Sequence, residues 1–233
     1  MDAGVMKMTK FRILYEDNHL LVVEKPVNIA VQADSSNDLD LLTMLKEDIK
    51  VRFNKPGNVY LGLVHRLDRP VGGVMVFAKT SKAASRLSDQ VRTRTMGKTY
   101  QAVVCGKIRQ PLGTYVDQLK KNEKTNMVSV VSSKDPQGKI AVLDYEVLAQ
   151  KDNLTQVEIH LQTGRPHQIR VQFSSRNTPL WGDQRYNKTA KPGQQIALWA
   201  TELTLVHPVT KEEMTFTCPV PDSYPWNSFK KGE

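Results

Sequence analysis

Long hydrophobic runs are scarce in this chain of 233 residues. Its apolar stretches are short, for example Leu-Leu-Val-Val at residues 20–23, whereas a helix that spans a bilayer needs roughly 20 apolar residues. The first residues also lack the apolar segment of a secretory signal. These absences argue against a membrane or secreted protein, and we expect a cytoplasmic one.

Cysteine is almost as rare, since Cys105 and Cys218 are the two in the chain. Neither has a Cys or His neighbour at the spacing of a zinc site, and two cysteines in a chain of this length do not make a disulfide framework. We therefore expect no metal, and we expect both thiols to be small buried apolar groups.

Positive charge is in excess, because 33 Lys and Arg outnumber 24 Asp and Glu to give a net charge of +9. A basic protein is suited to a polyanionic partner, since each cation near a phosphate releases condensed counterions. The same charge can equally serve solubility alone. Charge therefore admits nucleic acid as a partner without selecting it.

Short alternating segments typical of strands outnumber helical ones along the chain. Helices are predicted over residues 39–53, behind a polar cluster at 35–38 that can cap them, over 81–94, and within 164–174 behind Pro166. Residues 117–139 are rich in lysine and predict one or two strands with long mobile loops. Further strands are expected at 12–15, 20–23, 60–64, 73–78, 98–104, 141–148, 155–161 and within 197–219. This pattern predicts an α+β domain with a mixed, largely antiparallel sheet.

The most informative segment is His-Arg-Leu-Asp-Arg at residues 65–69, on a predicted link between two strands. Flanking arginines favour the ionised form of Asp68, and a charged carboxylate beside apolar residues can act as a nucleophile or base. A surface ladder of Arg-Asp-Arg ion pairs explains the same residues without any chemistry. His65 and Arg66 lie in this segment.

A second segment, residues 164–170, reads Gly-Arg-Pro-His-Gln-Ile-Arg. Its glycine and proline indicate an abrupt turn, after which Arg165, His167, Gln168 and Arg170 offer hydrogen-bond donors for a phosphate or a buried carboxylate. A helix start with solvated arginines and a structural histidine is the plainer interpretation.

Tyr100, in the predicted strand at residues 98–104, allows two interpretations. A strand tyrosine usually packs in the core with its hydroxyl bonded. The more specific alternative is a platform for an unstacked RNA base.

Taken together and in order, these segments resemble the RluA-type family of RNA pseudouridine synthases. The resemblance covers about residues 12–220. The blocks that carry it are His-Arg-Leu-Asp at 65–68, Gly73 with Ala-Lys at 78–79, Lys-Thr-Tyr-Gln-Ala at 98–102 ending at Gly106, residues 164–170, and Gly-Asp at 182–183 with Tyr186. Upstream, residues 16–26 are similar to the family's opening strand pair.

The resemblance implies an α+β catalytic domain with a long mixed, mainly antiparallel sheet and a central active-site cleft. It implies an enzyme that isomerises uridine in ribosomal or transfer RNA, without cofactor or metal. Many members carry a small RNA-binding module before the opening strand pair. Because that pair begins near residue 12, we expect an irregular segment at 1–11, a single catalytic domain at 12–233, and no separate N-terminal module. A monomer is the default expectation.

The same resemblance assigns roles to individual residues. The family's essential aspartate matches Asp68, and Arg165 is expected to pair with it. Tyr100 is expected to stack on the target base, Ile169 to wall the pocket, and Arg66 to fill the gap that the flipped base leaves in the RNA. The remaining candidates for substrate binding or support are His65, His167, Gln168 and Arg170.

Several positions depart from the family pattern. Val71 and Gly72 precede Gly73 where two hydroxyl residues are usual, and Gln172 and Trp199 replace histidines. The other three departures are Glu24 in place of asparagine, and Asn28 and Asn187 in place of glycine. Asparagine tolerates positive φ, so we expect the last two to keep a glycine-like backbone.

Two other functions stay open on the sequence. A non-catalytic RNA-binding or RNA-folding protein on the same fold shares the charge and the aromatic residues but does not need Asp68. A nucleoside or glycoside hydrolase typically needs a second carboxylate as acid, which these blocks do not evidently supply.

Overall fold

The computed structural model describes residues 11–34 and 36–230, and eleven strands within them form one sheet. Most of the expected N-terminal segment 1–11 lies outside these residues. The strands are β1 (Arg12–Glu16), β2 (Leu20–Lys25), β3 (Gly62–Leu63), β4 (Gly72–Ala78), β5 (Gly97–Cys105), β6 (Leu112–Asn122), β7 (Met127–Val131), β8 (Lys139–Lys151), β9 (Leu154–Leu161), β10 (Leu198–Val206) and β11 (Glu213–Thr217).

The main path of the sheet runs β1-β2-β4-β10-β5-β9-β8-β6-β7, with β3 paired to β4 and β11 to β10. In the described part of the chain, β4 and β10 form the one parallel pair, where Gly72 lies opposite Trp199 and Gly73 opposite Ala200. The other ladders are antiparallel. The prediction of a mixed, mainly antiparallel α+β fold is confirmed.

Two amphipathic helices, α1 (Leu41–Arg52) and α2 (Ser81–Arg92), bury apolar side chains against the core. The Asp40 carboxylate caps α1 by accepting a hydrogen bond from the Thr43 amide at 3.0 Å. The predicted cap at residues 35–38 was therefore wrong, because Asp40 is the residue whose carboxylate reaches the first free amides. Thr80 caps α2 in the same way through the Ala83 amide.

The third helix, α3 (Gln168–Ser174), begins two residues after Pro166. His167 precedes it in the left-handed region, with φ of 52°, and this conformation prevents the helix from starting at the proline. The turn carries the chain from β9 into the middle of the molecule and places α3 beside β6 and β7.

The lysine-rich residues 117–139 form the end of β6 and all of β7, joined by a tight turn at residues 123–126. The side-chain oxygen of Asn122 accepts hydrogen bonds from the Lys124 and Thr125 amides and closes this turn. The long loops expected in this region are therefore replaced by a hairpin and by the short segment 132–138.

One continuous apolar core extends from β2 to the 3-10 helix Trp226–Phe229. Cys218 is buried as predicted, whereas Cys105 is only half-buried, so that prediction was wrong for one thiol. No helix in residues 11–34 and 36–230 is long and apolar enough to cross a membrane.

Candidate active site

Asp68 lies on the link between β3 and β4, at the floor of a cleft of about 1540 Å³. Its side chain is 28% exposed, so the carboxylate meets the cleft without standing free in bulk solvent. The Val71 amide donates to the Asp68 carbonyl at 2.9 Å and closes a turn directly after the aspartate. The local backbone therefore presents the carboxylate from a fixed turn on the sheet.

The guanidinium of Arg170, on α3, is the group that holds Asp68. Its Nη1 donates to Asp68 Oδ2 at 3.0 Å, while Nε and Nη2 donate to the two oxygens of Asp183 at 2.9 and 2.8 Å. Burial alone would lower the pKa of Arg170, but its bonds to Asp183 and Asp68 outweigh that effect and raise the pKa. The cation is therefore permanent, and it bridges two carboxylates.

Arg165 does not form the ion pair that we expected of it. Its Nε donates to the carbonyl of Ile140 at 2.9 Å, which turns the guanidinium toward β8. The expected pairing with Asp68 was wrong because the turn at residues 164–167 directs Arg165 away from the floor of the cleft, whereas Arg170 faces it from the buried side of α3.

Asp183 is fully buried, with 0% side-chain exposure. Besides the two bonds from Arg170, its Oδ1 accepts from the amides of Arg185 and Tyr186 at 3.0 and 3.3 Å. This carboxylate thus has a structural role, because it orients Arg170 and caps the turn at residues 183–186.

Lys25, at the end of β2, supports the aspartate's turn from behind. Its side chain is fully buried, and Nζ donates to the carbonyls of Pro26, Arg69 and Val71 at 2.8, 3.0 and 2.7 Å. Burial lowers the pKa of Lys25 to about 7, although the Asp68 carboxylate opposes the shift. Two of these carbonyls flank the turn after Asp68, so Lys25 fixes its backbone.

His167 faces Asp68 from the other side of the floor, with Nε2 4.0 Å from Asp68 Oδ2. Its Nδ1 lies 2.6 Å from the Tyr186 hydroxyl, which accepts from the Val128 amide at 2.9 Å. The hydroxyl's own hydrogen is then free to bond Nδ1, an arrangement that favours the tautomer with its proton on Nε2. Burial lowers the pKa of His167, against the opposing effect of Asp68.

Gln168 is a structural residue of the turn. Its Oε1 accepts from the Thr163 hydroxyl and the Arg165 amide at 2.8 and 3.0 Å, and its Nε2 donates to the Val142 carbonyl at 3.1 Å. The side chain is 3% exposed and all of its bonds are internal. It therefore supports the site by holding residues 163–165 and has no free group for a substrate.

The remaining candidates line the cleft around Asp68. Tyr100 and Ile169 are buried apolar walls, and burial together with the Asp68 carboxylate raises the pKa of the Tyr100 hydroxyl. Arg66 is exposed on the rim. His65 accepts a hydrogen bond from the Val76 amide at its Nε2, 3.1 Å away, and burial lowers its pKa to about 3, with the nearby Lys98 ammonium adding to the effect.

The departures at Gly72 and Trp199 explain each other. A Cβ atom at Gly72 would stand 2.8 Å from Cη2 of Trp199 and nearer still to the adjacent ring carbon, so the indole fills the space of a side chain at position 72. Gly73 has φ of 121° and lies against the backbone of Ala200, which leaves no room for a Cβ there either. The Trp199 ring thus occupies the space that the side chain of the usual hydroxyl residue would fill. This space lies behind the segment between β3 and β4 that carries Asp68.

The expectation of a glycine-like backbone holds for one asparagine of the two. Asn28 has φ of 63°, whereas Asn187 is not among the residues with positive φ. Asn187 is buried and donates to the Leu180 carbonyl at 3.0 Å, so its side chain rather than its backbone explains its place.

Lys25 and Asp183 support the site, although neither was predicted to have a role in it. For Lys25 a signal was present, because strand alternation places it on the same face as buried Leu21 and Val23. For Asp183 nothing in the local sequence indicates that Arg170, thirteen positions earlier, is its partner.

Comparison with known proteins agrees with this geometry. A family model described as RNA pseudouridylate synthase matches residues 19–175. An uncharacterized RNA pseudouridine synthase of Bacillus subtilis is 35% identical over 219 residues, covering 90% of this chain and 68% of that protein. The ribosomal large subunit pseudouridine synthase D of Pseudomonas aeruginosa is 34% identical over 238 residues, covering 93% and 70%.

Solved structures show the same fold. Human RNA pseudouridylate synthase domain containing 4 superposes with a TM-score of 0.76 at 24% identity, covering 90% of this chain and 88% of that one. Human RNA pseudouridylate synthase domain containing 1 gives a TM-score of 0.75 at 24% identity, covering 95% and 87%.

Proposed function

This chain belongs to the RNA pseudouridine synthase family, and on that premise we propose that Asp68 is the residue on which its isomerisation of uridine depends. The observation that carries the proposal is the ion pair between Asp68 and Arg170 at the floor of the cleft. Arg170 is held by both oxygens of Asp183 and cannot turn away, so it fixes the orientation of the Asp68 carboxylate.

The reaction sets simple demands on such a site. The bond between the sugar's anomeric carbon and the base nitrogen breaks, the base turns, and a carbon of the base bonds to the sugar. The proton lost from that carbon is balanced by one gained at the freed nitrogen, so the product is an isomer. A single carboxylate can start this sequence by attacking the anomeric carbon or by removing a neighbouring sugar proton.

The target nucleotide has to leave its stack to reach Asp68, at a cost of a few kcal/mol that is least in loops and distorted helices. Tyr100 and Ile169 form the apolar walls beside the carboxylate, suited to hold an extruded pyrimidine. Arg66 stands exposed at the rim, next to Asp68 in sequence, where it can occupy the space left in the RNA.

The substrate we propose is ribosomal RNA of the large subunit, because relatives of 32–34% identity carry that substrate in their names. The tip of the β6–β7 hairpin reaches the same cleft through Lys121 and Asn126, and the Asn126 carbonyl accepts from Arg185 at 2.7 Å. The position of this hairpin in the cleft favours a contact between Lys121 and the RNA backbone. We further propose that residues 12–233 act as one catalytic domain, as a monomer in the cytoplasm.

A hydrolase is a weaker explanation of the same cleft. Cleavage of a glycosidic bond typically uses a second carboxylic acid as proton donor. Asp183 is the second carboxylate on Arg170, but it is fully buried and both of its oxygens are bonded. It has no exposed oxygen for a leaving group, and release of free uracil would be the signature of that alternative.

Mapping pseudouridine in total RNA from cells with and without this gene tests the proposal. We expect one or a few ribosomal positions to lose the modification and to regain it when the gene is restored. A map that does not change, combined with tight RNA binding by the purified protein, would favour the non-catalytic RNA-binding alternative.

A further inference from the structure

Lys98, near the start of β5, lines the cleft, and its ammonium has no hydrogen bond or ion pair within residues 11–34 and 36–230. The residue is half-buried, and burial lowers the pKa of its amine. A partly desolvated cation without a counter-charge is unfavourable, and such groups are normally paired. Lys98 is therefore available to a partner from outside the described part of the chain.

Three other cations in or behind the cleft are bonded within the protein. Arg170 bonds two carboxylates, and Lys25 bonds three carbonyls. Arg69 is paired with Asp34 and Asp38 at 2.8 and 2.7 Å. Each of these charged groups is bonded to acceptors of the folded chain, whereas the Lys98 ammonium is not.

His65 offers a second donor in the same cleft, near enough to Lys98 for the ammonium to lower the pKa of the histidine. Its Nε2 already accepts from the Val76 amide, so the neutral ring carries its hydrogen on Nδ1. Nδ1 has no bond within the described part of the chain, yet it is not among the fully buried atoms that lack a partner. The ring therefore directs an open N–H donor to the surface of the cleft.

Gly164 keeps the ammonium accessible. A Cβ atom at this position would lie 3.9 Å from Lys98 Nζ, with no other atom of the described chain closer than 4 Å. Any longer side chain would stand over the lysine. The turn at residues 164–167 thus leaves an opening above Nζ that faces the same cleft as Asp68.

We propose that Lys98 Nζ and His65 Nδ1 form a phosphate-binding subsite, which takes a phosphodiester of the RNA strand beside the target nucleotide. The proposal rests on the proposed function for its choice of RNA as ligand. A phosphate fits better than a base carbonyl because an unpaired cation gains most from an anion. Arg94, exposed on the same rim, extends the positive charge along the path of the strand.

Salt dependence of RNA binding tests the subsite. The probe is a labelled RNA hairpin with an all-uridine loop, whose affinity is measured over a range of KCl concentrations. Loss of one phosphate contact to a single strand changes the slope of log K against log[salt] by about 0.7. We expect Lys98→Gln to lower the slope by about that amount, and Lys98→Arg to restore it.

The matched control is Lys107→Gln, which removes an exposed lysine two residues beyond β5 and outside the cleft. We expect it to leave the slope unchanged. Thermal unfolding of each variant establishes that it is folded. A Lys98→Gln protein that is folded and keeps the wild-type slope would overturn the subsite.

A second measurement changes the RNA rather than the protein site. Neutral methylphosphonates replace the loop phosphates one at a time, and binding is measured for the wild-type protein and for Lys98→Gln. We expect one linkage whose neutralisation lowers the salt slope most, and whose effect disappears in Lys98→Gln. Equal effects at all linkages in both proteins would contradict the proposal.

These outcomes separate the subsite from the proposed function. An enzyme that restores pseudouridine in cells but shows no change of slope in Lys98→Gln refutes the subsite alone. A change of slope with no pseudouridine formed refutes the enzyme and keeps the phosphate contact.

Discussion

The floor and one polar wall of the cleft contain similar residue types but differ in how fully their polar groups are bonded. The floor consists of Asp68, Arg170, Asp183 and Lys25, whose charged groups bond one another or backbone carbonyls. The polar wall is formed by His65 and Lys98, as distinct from the apolar walls Tyr100 and Ile169. It presents donors that lack acceptors in the described chain. Both contain a lysine at least half-buried, yet Lys25 is fully bonded and Lys98 is open.

The difference separates two roles of polar groups in a site, which are to fix its geometry and to bind a ligand. A satisfied network is rigid and fixes geometry, because each change leaves a buried group without its partner. Open donors contribute nothing to the fold and acquire a partner only with a ligand. We therefore expect substitutions in the floor to change stability and turnover together, and substitutions in the wall to act mainly on binding.

Arg170→Met should have the largest effect. The variant leaves the buried Asp183 carboxylate without its cation, a loss of about 3–5 kcal/mol for a broken buried pair. Turnover should also fall, because Asp68 loses the group that orients it. Urea unfolding and pseudouridine formation measure the two effects.

Arg165→Met is the matched control for that prediction. Its guanidinium is bonded to a single carbonyl at the surface, so we expect stability to stay within about 0.5 kcal/mol of wild type. If both arginine variants lose stability equally, the floor is not the network described above.

Gly72→Ser should come next, because it tests the packing behind the floor. The new side chain would overlap the Trp199 indole, and overpacking of a core costs about 1–3 kcal/mol. Trp199→His provides space, so the double variant should lose less stability than the sum of the single variants. Additive losses in urea unfolding would show that the two positions are not coupled. Gly164→Ser, whose Cβ would meet only Lys98 Nζ at 3.9 Å, serves as control for stability.

His65, in the polar wall, should make the stability of the folded protein depend on pH. Its folded pKa is lowered to about 3, so the unfolded chain binds the proton more readily than the folded one between pH 6.5 and 3. Stability should fall as pH falls through that window, by about 2 kcal/mol at pH 5. His65→Gln should reduce this loss of stability measured between pH 7.5 and 5. An unchanged dependence would mean that His65 is not held neutral.

Tyr186→Phe should lower stability less than Arg170→Met or Gly72→Ser does. It removes the hydroxyl that joins the Val128 amide to His167, a bond with a net contribution of about 1 kcal/mol. Without that hydroxyl the tautomer of His167 is no longer fixed, which the ¹⁵N chemical shifts of the ring would show. Unchanged shifts would contradict the assigned arrangement.

The sequence was sufficient for the architecture and for naming Asp68 as a residue of the cleft. Alternation and helical periodicity predicted β2, β4, β5, β9 and the two longer helices close to their observed bounds, because these elements bury regular apolar faces. The ordered blocks, from His-Arg-Leu-Asp onward, were enough to select Asp68.

Side-chain partners were harder to predict, because they depend on where distant segments meet. Arg165 and Arg170 are equally good candidates in sequence, and the left-handed His167 between them decides which one faces Asp68. The coupling of Gly72 to Trp199 likewise depends on the parallel register of β4 and β10, which no local pattern reveals.

Asp68→Asn tests the central claim most directly. The amide keeps the size of the side chain and removes its charge, so the protein should fold and bind RNA much as wild type does while forming no pseudouridine in a tritium-release or mass assay. Measurable conversion of uridine by the folded variant would contradict the assignment of the reaction to this carboxylate.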